Sequence, residues 1–430
     1  MSSGFIEAVV PRRLGTSYRW LLGSSWATNL ADGISVAAGP LLVASLTTDP
    51  FLVAMAALLR WAPPLVFGLS AGVLSDRLNR RRIVVAANGF RIMVLAALLA
   101  IIVTGHVTPV LALIALGLLS SAEVFADNTS AILAPMLVHR NDLAVANARI
   151  QTGFITLNQL AGPPIGAALF AAGTALPFVA EAVIIVAGVI LVSRVVLPPH
   201  SSVVDGDPQV ERRSVRRDIA EGLRFAIHHA AVRTLALTIL LFNITFGAAW
   251  GLLVLYTQQR LGLGPVGYGL LTTVSAVGGL LGTALYGAIT RRVSLGNVMR
   301  AGLIIETLTH LALAVTTSAW VAGVIFFIFG AHAFIWGTTS ITVRQRAVPT
   351  HLQGRVTSVN TICVYGGLVV GSAIGGVLAT RYGVTAAFWF AFVGSAVFVV
   401  ALWREMTRIA HADESPPVIQ EKTSTRSAGM

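Results

Sequence analysis

Gly72-Val73-Leu74-Ser75-Asp76-Arg77-Leu78-Asn79-Arg80-Arg81-Arg82 decides how this chain is read. The stretch joins two apolar runs, 51–74 and 83–103, and packs one aspartate and four arginines into the join. A run of about 20 apolar residues crosses a bilayer as a helix, so the charged stretch reads as a short loop between two membrane helices. Working outward, ten more apolar runs follow the same rule: 20–46, 110–125, 154–172, 178–197, 235–255, 270–289, 298–315, 320–341, 356–378 and 386–403. The run 110–125 is short because Glu123, Asp127 and Asn128 interrupt it, and its helix is predicted to continue to about Leu133.

Composition agrees. Of 430 residues, 55% are hydrophobic and 11% charged, with mean hydropathy +0.80. This is a membrane composition, and the twelve runs leave no room for a separate soluble domain. The net charge of +12 invites a nucleic-acid reading, which the distribution of arginines rejects. Arg12, Arg13 and Arg19 precede the first run, and Arg77 to Arg82 follow the second. Arg140 and Arg149 follow the fourth, Arg212 to Arg233 the sixth, Arg291, Arg292 and Arg300 the eighth, and Arg344, Arg346 and Arg355 the tenth. The opposite loops hold Arg260 and Arg381. Positive charge gathers on the cytoplasmic side of membrane proteins, so both termini are predicted to be cytoplasmic, in a multi-pass protein of the cell inner (plasma) membrane. The first run is too long for a cleaved signal peptide. Cys363 is the single cysteine, so no internal disulfide is possible. Arginine replaces lysine almost throughout, which fits a GC-rich bacterial coding sequence.

The chain divides near its middle into an N-terminal six-helix bundle (1–197), a cytoplasmic linker (198–231), a C-terminal six-helix bundle (232–409) and a polar, disordered tail (410–430). Within the linker, Val215, Ile219, Leu223 and Ile227 recur every four residues among arginines. That spacing predicts an amphipathic helix on the membrane surface. The halves repeat each other. Leu160-Ala161-Gly162-Pro163-Pro164-Ile165-Gly166-Ala167 aligns with Val369-Val370-Gly371-Ser372-Ala373-Ile374-Gly375-Gly376, and Asn128-Thr129-Ser130 with Thr338-Thr339-Ser340. Gly287, Arg291 and Arg292 echo the charged loop without its acid.

A few residues break the apolar pattern. Asp32 lies about 18 Å along its helix from Trp20, near the midplane, on a stripe with Ser25, Asn29 and Gly39. A carboxylate there costs about 3 kcal/mol or more, so it must face a cavity or a partner. It is the first candidate proton site, with Arg60 at similar depth as its expected partner. Glu181 and Glu306 are two more acids inside runs, and His310 follows Glu306 by four residues. Glu306 is a second proton-site candidate. Glu123 and Asp127, spaced i,i+4, share a helix face and could receive the loop arginines, Arg77 with Asp127 first. Asn243, Phe246 and Trp250 fall on one face, His332 and Trp336 on another; with Trp26 and Asn29 they are candidate walls of a cavity for a bulky substrate. No nucleophile–base pair, metal-ligand cluster or nucleotide-binding Gly-x-x-x-x-Gly-Lys-Ser/Thr is present. An enzyme, a resident cofactor or metal, and nucleotide or nucleic-acid partners are therefore not expected.

The loop resembles the signature Gly-x-Leu-x-Asp-Arg-x-Gly-Arg-Arg between helices 2 and 3 of major facilitator transporters. Gly72, Asp76, Arg77, Arg80 and Arg81 match, while Asn79 stands where the family has glycine. Asn tolerates a left-handed turn, so such a turn is expected there. Gly153 and Gly162-Pro163-Pro164-Ile165-Gly166 resemble the Gly-Pro motif of drug–proton antiporters, where proline bends the helix and small residues bring a partner close. Ala31 to Pro40, Pro135-Met136-Leu137-Val138 with Ala146-Asn147-Ala148, and Glu221-Gly222-Leu223-Arg224-Phe225 resemble macrolide-efflux and Tap-type multidrug exporters, a subgroup that includes siderophore (enterobactin) exporters. The resemblance spans nearly all of 15–405. It implies an all-α membrane protein of twelve transmembrane helices in two pseudo-symmetric six-helix bundles. It implies a cavity lined by helices one, four, seven and ten, and peripheral places for Glu181 and Glu306. It implies that Gly72, Asp76, Arg77, Arg80, Arg81, Glu123 and Asp127 gate alternating access. The expected function is proton-coupled export of bulky amphiphilic small molecules such as antibiotics. Siderophore export and import of a small metabolite on the same fold are the alternatives; a receptor would need an output domain.

Overall fold

The computed structural model describes residues 11–197 and 215–406. The tail 410–430 and linker residues 198–214 lie outside the described residues, as do the side chains of Asp76 and Arg77. Among the described residues, eleven helices are long and apolar enough to cross a membrane. In the first half they are α1 (Thr16–Leu46), α2 (Pro50–Arg77), α3 (Arg80–Val103) and α4 (Pro109–Leu137), then α6 (Leu176–Ser193). In the second half they are α7 (Ala230–Trp250), α8 (Pro265–Thr290), α9 (Leu295–Val315), α10 (Ala319–Ala347), α11 (Gln353–Tyr382) and α12 (Thr385–Leu402).

The twelfth expected span is present but broken. α5 runs as an α-helix over Leu143–Gly153, a π-helix over Phe154–Ala161 and an α-helix over Gly162–Ala172. Pro163 and Pro164 have no N–H to donate, so the carbonyls one turn earlier lose their ordinary partners. The backbone widens there to a π register. Helix starts are set locally: Asp49 accepts from Phe51 N ahead of Pro50, and Thr108 accepts from Leu111 N ahead of Pro109.

The bundle packs as two copies of one plan. α1 lies on α5 and α7 on α11; α2 on α4 and α8 on α10; α3 on α6 and α9 on α12. Across the halves α2 meets α11, and α5 meets α8. The aligned glycines explain the closest crossings. A Cβ on Gly162 would stand 2.5 Å from Gly33 Cα of α1, and Gly371 is pressed in the same way on Ile244 of α7. Removing the side chain lets two backbones touch.

The buried core shows which end is shut. One apolar cluster joins both halves at the end far from the chain termini, with Leu42, Val53 and Leu116 from one half and Leu252, Leu313 and Phe388 from the other. Thr380 Oγ1 also donates to Asp49 Oδ1 there, at 3.3 Å. At the terminal end the core splits into separate clusters, Tyr18, Leu21 and Leu133 in one half and Leu235, Met299 and Val343 in the other.

The linker helix (Val215–His228) departs in part from the surface-lying expectation. Gly222 packs on the Arg355 backbone, and Glu221 pairs with Arg355 at 2.5 Å, docking the helix on α11. Leu223 and Ile227 remain exposed, the row an amphipathic surface helix turns to lipid.

Candidate functional site

The centre of the first half is a charged cluster. Asp32 is 3% exposed, and its Oδ1 accepts from Arg91 Nη2. The same Nη2 reaches Glu181 Oε1 at 3.4 Å, and Nη1 reaches Asn88 Oδ1 at 3.4 Å. Arg91 and Glu181 are each 1% exposed. Glu123 and Asp127 complete the group, their carboxylate oxygens and that of Asp32 all lying within 4.8 Å of one another. Three oxygen donors so spaced can hold a cation, although the Arg91 guanidinium already occupies part of Asp32.

Several expectations are corrected here. The ion-pair partner of Asp32 is Arg91, not Arg60. Arg60 instead sits with its guanidinium 5.6 Å from the centre of the Trp61 ring. A single arginine inside an apolar run looks like a continuation of the positive loop, which hides Arg91 in the sequence. Its signal was present: it lies eleven residues into α3, about 16 Å from the helix start, with Asn88 three residues earlier on the same face. Glu181 is not peripheral, because α6 packs on α1 and α3 and turns the carboxylate inward to Arg91. Glu123 and Asp127 face Asp32. Asp127 is ten residues from the end of α4, about 15 Å of helix, whereas Arg77 ends α2.

The loop itself holds its own half together. Arg81 Nη1 donates to Val195 O at 3.0 Å, and Arg80 Nη1 lies 3.2 Å from Met136 Sδ. Asn79 is not left-handed: its φ is −63° and its side chain accepts from Arg82 N, so it is the N-cap of α3. Ser294 caps α9 in the second half in the same way, accepting from Asn297 N. A Cβ on Gly72 would meet nothing within 4 Å.

Trp26 leaves the expected cavity wall. Its indole N–H donates to Arg149 O at 3.1 Å, and its ring covers Gly153 so closely that a Cβ there would collide. It packs α1 to α5. Asn29 donates back to Ser25 O at 2.8 Å, within its own helix. Gly162 and Gly166 serve the α1–α5 crossing, where Gly166 abuts Ile34, while the Pro163 carbonyl lies against Gly269 of α8.

The second half is different. α7, α9 and α10 line an open cavity of about 210 Å³ bordered by Asn243, Phe246, Glu306, Phe329, His332 and Trp336 among others. Phe246 stacks on Trp250 at 4.4 Å and on Phe329 at 5.8 Å, and Trp250 meets Phe329 at 4.4 Å. Trp250 thus stands behind the wall as its support. Glu306 is paired across the cavity rather than along its helix: His332 Nε2 is 4.0 Å from Glu306 Oε2, while His310 packs edge-on to Trp250.

A membrane-crossing bundle of two like halves, shut at one end and carrying polar sites at mid-depth, has the build of a membrane transporter. The chain matches the major facilitator family described as transmembrane secretion effectors over residues 8–424, and it belongs to that family. It is 26% identical over 398 residues to the multidrug efflux pump Tap of Mycolicibacterium fortuitum, covering 86% of this chain and 90% of that one. Its fold is similar to a bacterial homologue of the iron transporter ferroportin in an inward-facing state, with TM-score 0.72, 17% identity, and 91% and 99% of the two chains covered. It is also similar to a bacterial homologue of the lysosomal transporter Spinster, with TM-score 0.71, 14% identity, and 95% and 99% covered. Family and fold are those of membrane transporters.

Proposed function

We propose that the protein is a proton-coupled antiporter that exports bulky amphiphilic small molecules, with Asp32 as the coupling carboxylate. The observation that carries this is the charge balance of the first half. Four carboxylates, the buried Asp32 and Glu181, the half-buried Glu123 and the exposed Asp127, lie with two guanidiniums, the buried Arg91 and the half-buried Arg60. An intramembrane acid held beside an exchangeable partner is the usual mark of a proton path. Likeness to a multidrug efflux pump supports export as the direction. One proton crossing 100 mV supplies about 2.3 kcal/mol, enough for roughly a 50-fold gradient where exchange carries net charge.

With the termini cytoplasmic, the end where the core splits faces the cytoplasm, and the described conformation is the inward-facing one. Asp76 and Arg77 then act when the halves close at that end. Asp76→Asn or Arg77→Ala should shift the inward–outward balance. Cysteine accessibility on the two sides, in a Cys363→Ser background, should change in opposite directions.

The decisive test uses energised inverted vesicles offered macrolide, tetracycline, dye and siderophore substrates with and without a protonophore. Asp32→Asn should abolish uphill uptake while the protein still inserts and folds, since Arg91 keeps Glu181. Uphill uptake in the Asn variant removes Asp32 from coupling. Protonophore-insensitive uptake by the unmodified protein removes proton coupling altogether.

A further inference from the structure

We infer that the cavity of the second half is a binding site for aromatic organic cations, in which Glu306 holds the positive charge and Phe246, Phe329 and Trp336 hold the rings. The inference rests on the exporter reading for its biological meaning, but the site stands on its own geometry.

Polar atoms at this cavity lack partners. His332 is 6% exposed, and neither ring nitrogen has a hydrogen bond. The Trp336 indole N–H is buried without an acceptor. One turn along α9 from Glu306, His310 is 0% exposed, again with both nitrogens unpartnered. Buried polar groups in folded proteins are nearly always satisfied, and each exception calls for a reason. A cluster of exceptions around one 210 Å³ space fits a site completed by a ligand. Asn243 donates its amide to Ile239 O at 2.7 Å, leaving its carbonyl oxygen as the group that can accept from a ligand.

Charge selects the ligand. Glu306 is the acid lining the cavity, and no arginine or lysine lines it. Its contact is the 4.0 Å approach of His332, too long for a hydrogen bond. A carboxylate in this position, faced by stacked rings, favours a cation whose own rings lie against the walls, since ring faces attract positive charge and pair with other rings. A small hydrated cation leaves the aromatic surfaces unused, and an anion meets Glu306. The site is separate from the Asp32 cluster, which lies in the other bundle and carries its own guanidinium partners.

The test is equilibrium binding of radiolabelled tetraphenylphosphonium to the purified full chain in nanodiscs, with neutral triphenylphosphine oxide as the comparison. Glu306→Gln should weaken tetraphenylphosphonium about tenfold or more and leave the neutral probe within a factor of two. Phe246→Leu should weaken both. A second readout needs no change at Glu306: Ala333→Cys, in a Cys363→Ser background, should be protected from a methanethiosulfonate reagent by tetraphenylphosphonium. Unchanged binding in Glu306→Gln or no protection at position 333 overturns the assignment. Binding needs no gradient, so its outcome is independent of the vesicle test: a chain that binds as stated but never exports uphill overturns the exporter reading alone.

Discussion

The two half-bundles share a backbone plan and differ in their chemistry. In the first, Asp32, Arg91 and Glu181 form a buried ionic core with two further acids beside it. In the second, the space between α7, α9 and α10 is walled by rings and holds one acid facing a histidine at 4.0 Å. Helix crossings depend on small residues and can be duplicated without regard to side-chain charge. The sites depend on single side chains and diverge freely once the crossings are secure. The proposed coupling acid and the proposed ring-binding site thus fall in different bundles.

The strongest way to break this comparison is at Arg91. Arg91→Leu leaves Asp32 and Glu181 buried without their counter-charge, and removing one partner from a buried pair costs about 3–5 kcal/mol. Thermal unfolding in detergent should fall sharply, whereas Glu306→Gln should change it little. Equal losses would show that the second half also depends on a buried ionic contact. Asp32→Asn combined with Arg91→Leu should recover part of the loss.

The shared plan is probed next. Gly162→Ala and Gly371→Ala each drive a methyl group into a facing backbone. Overpacking of this kind costs about 1–3 kcal/mol. The two variants should be destabilised alike in thermal unfolding. A large cost at one and none at the other would mean that the repeats do not share their crossing.

A smaller effect is expected at the support of the aromatic wall. Trp250→Ala leaves Phe246 and Phe329 without their stacked backing. An aromatic pair contributes about 0.5–1.5 kcal/mol beyond its buried area, so affinity for a bulky aromatic substrate should fall roughly two- to tenfold. A small substrate should be affected less. Equal effects across sizes in transport competition would separate Trp250 from the wall.

The smallest effect concerns the paired helix caps. Asn79→Ala and Ser294→Ala should each cost about 1 kcal/mol, and Asn79→Gly only a few tenths. If Asn79→Gly instead stabilised the protein, the left-handed turn expected from the loop signature would be the better description of position 79.

Much of the architecture was legible along the chain, because spans are long, uniform and set by bilayer thickness. The span at 154–172 is the instructive exception: its apolar run was plain, yet two prolines at positions 163 and 164 turn it into three segments with a π register between them. The candidate site was legible only in part. Asp32 stood out because a carboxylate in an apolar run is rare, while Arg91 was hidden behind the three arginines that open the same helix. Trp26 and Trp250 looked alike in sequence; one closes a helix crossing over Gly153 and the other backs an aromatic wall.

By itself the sequence determined the membrane class, the number of spans, the twofold repeat and the presence of acids that must be buried, since each follows from local composition and spacing. Tertiary structure alone decided which partner each acid meets. Arg60 and Arg91 lie at comparable depth in different helices, and the rotation of α3 against α1 selects between them. It also decided that Glu181 turns inward, that Glu123 and Asp127 lie beside Asp32, and that Glu306 shares a cavity with Phe246 and Trp336. Partner choice depends on helix rotation and crossing, which are set by long-range packing that no local pattern records.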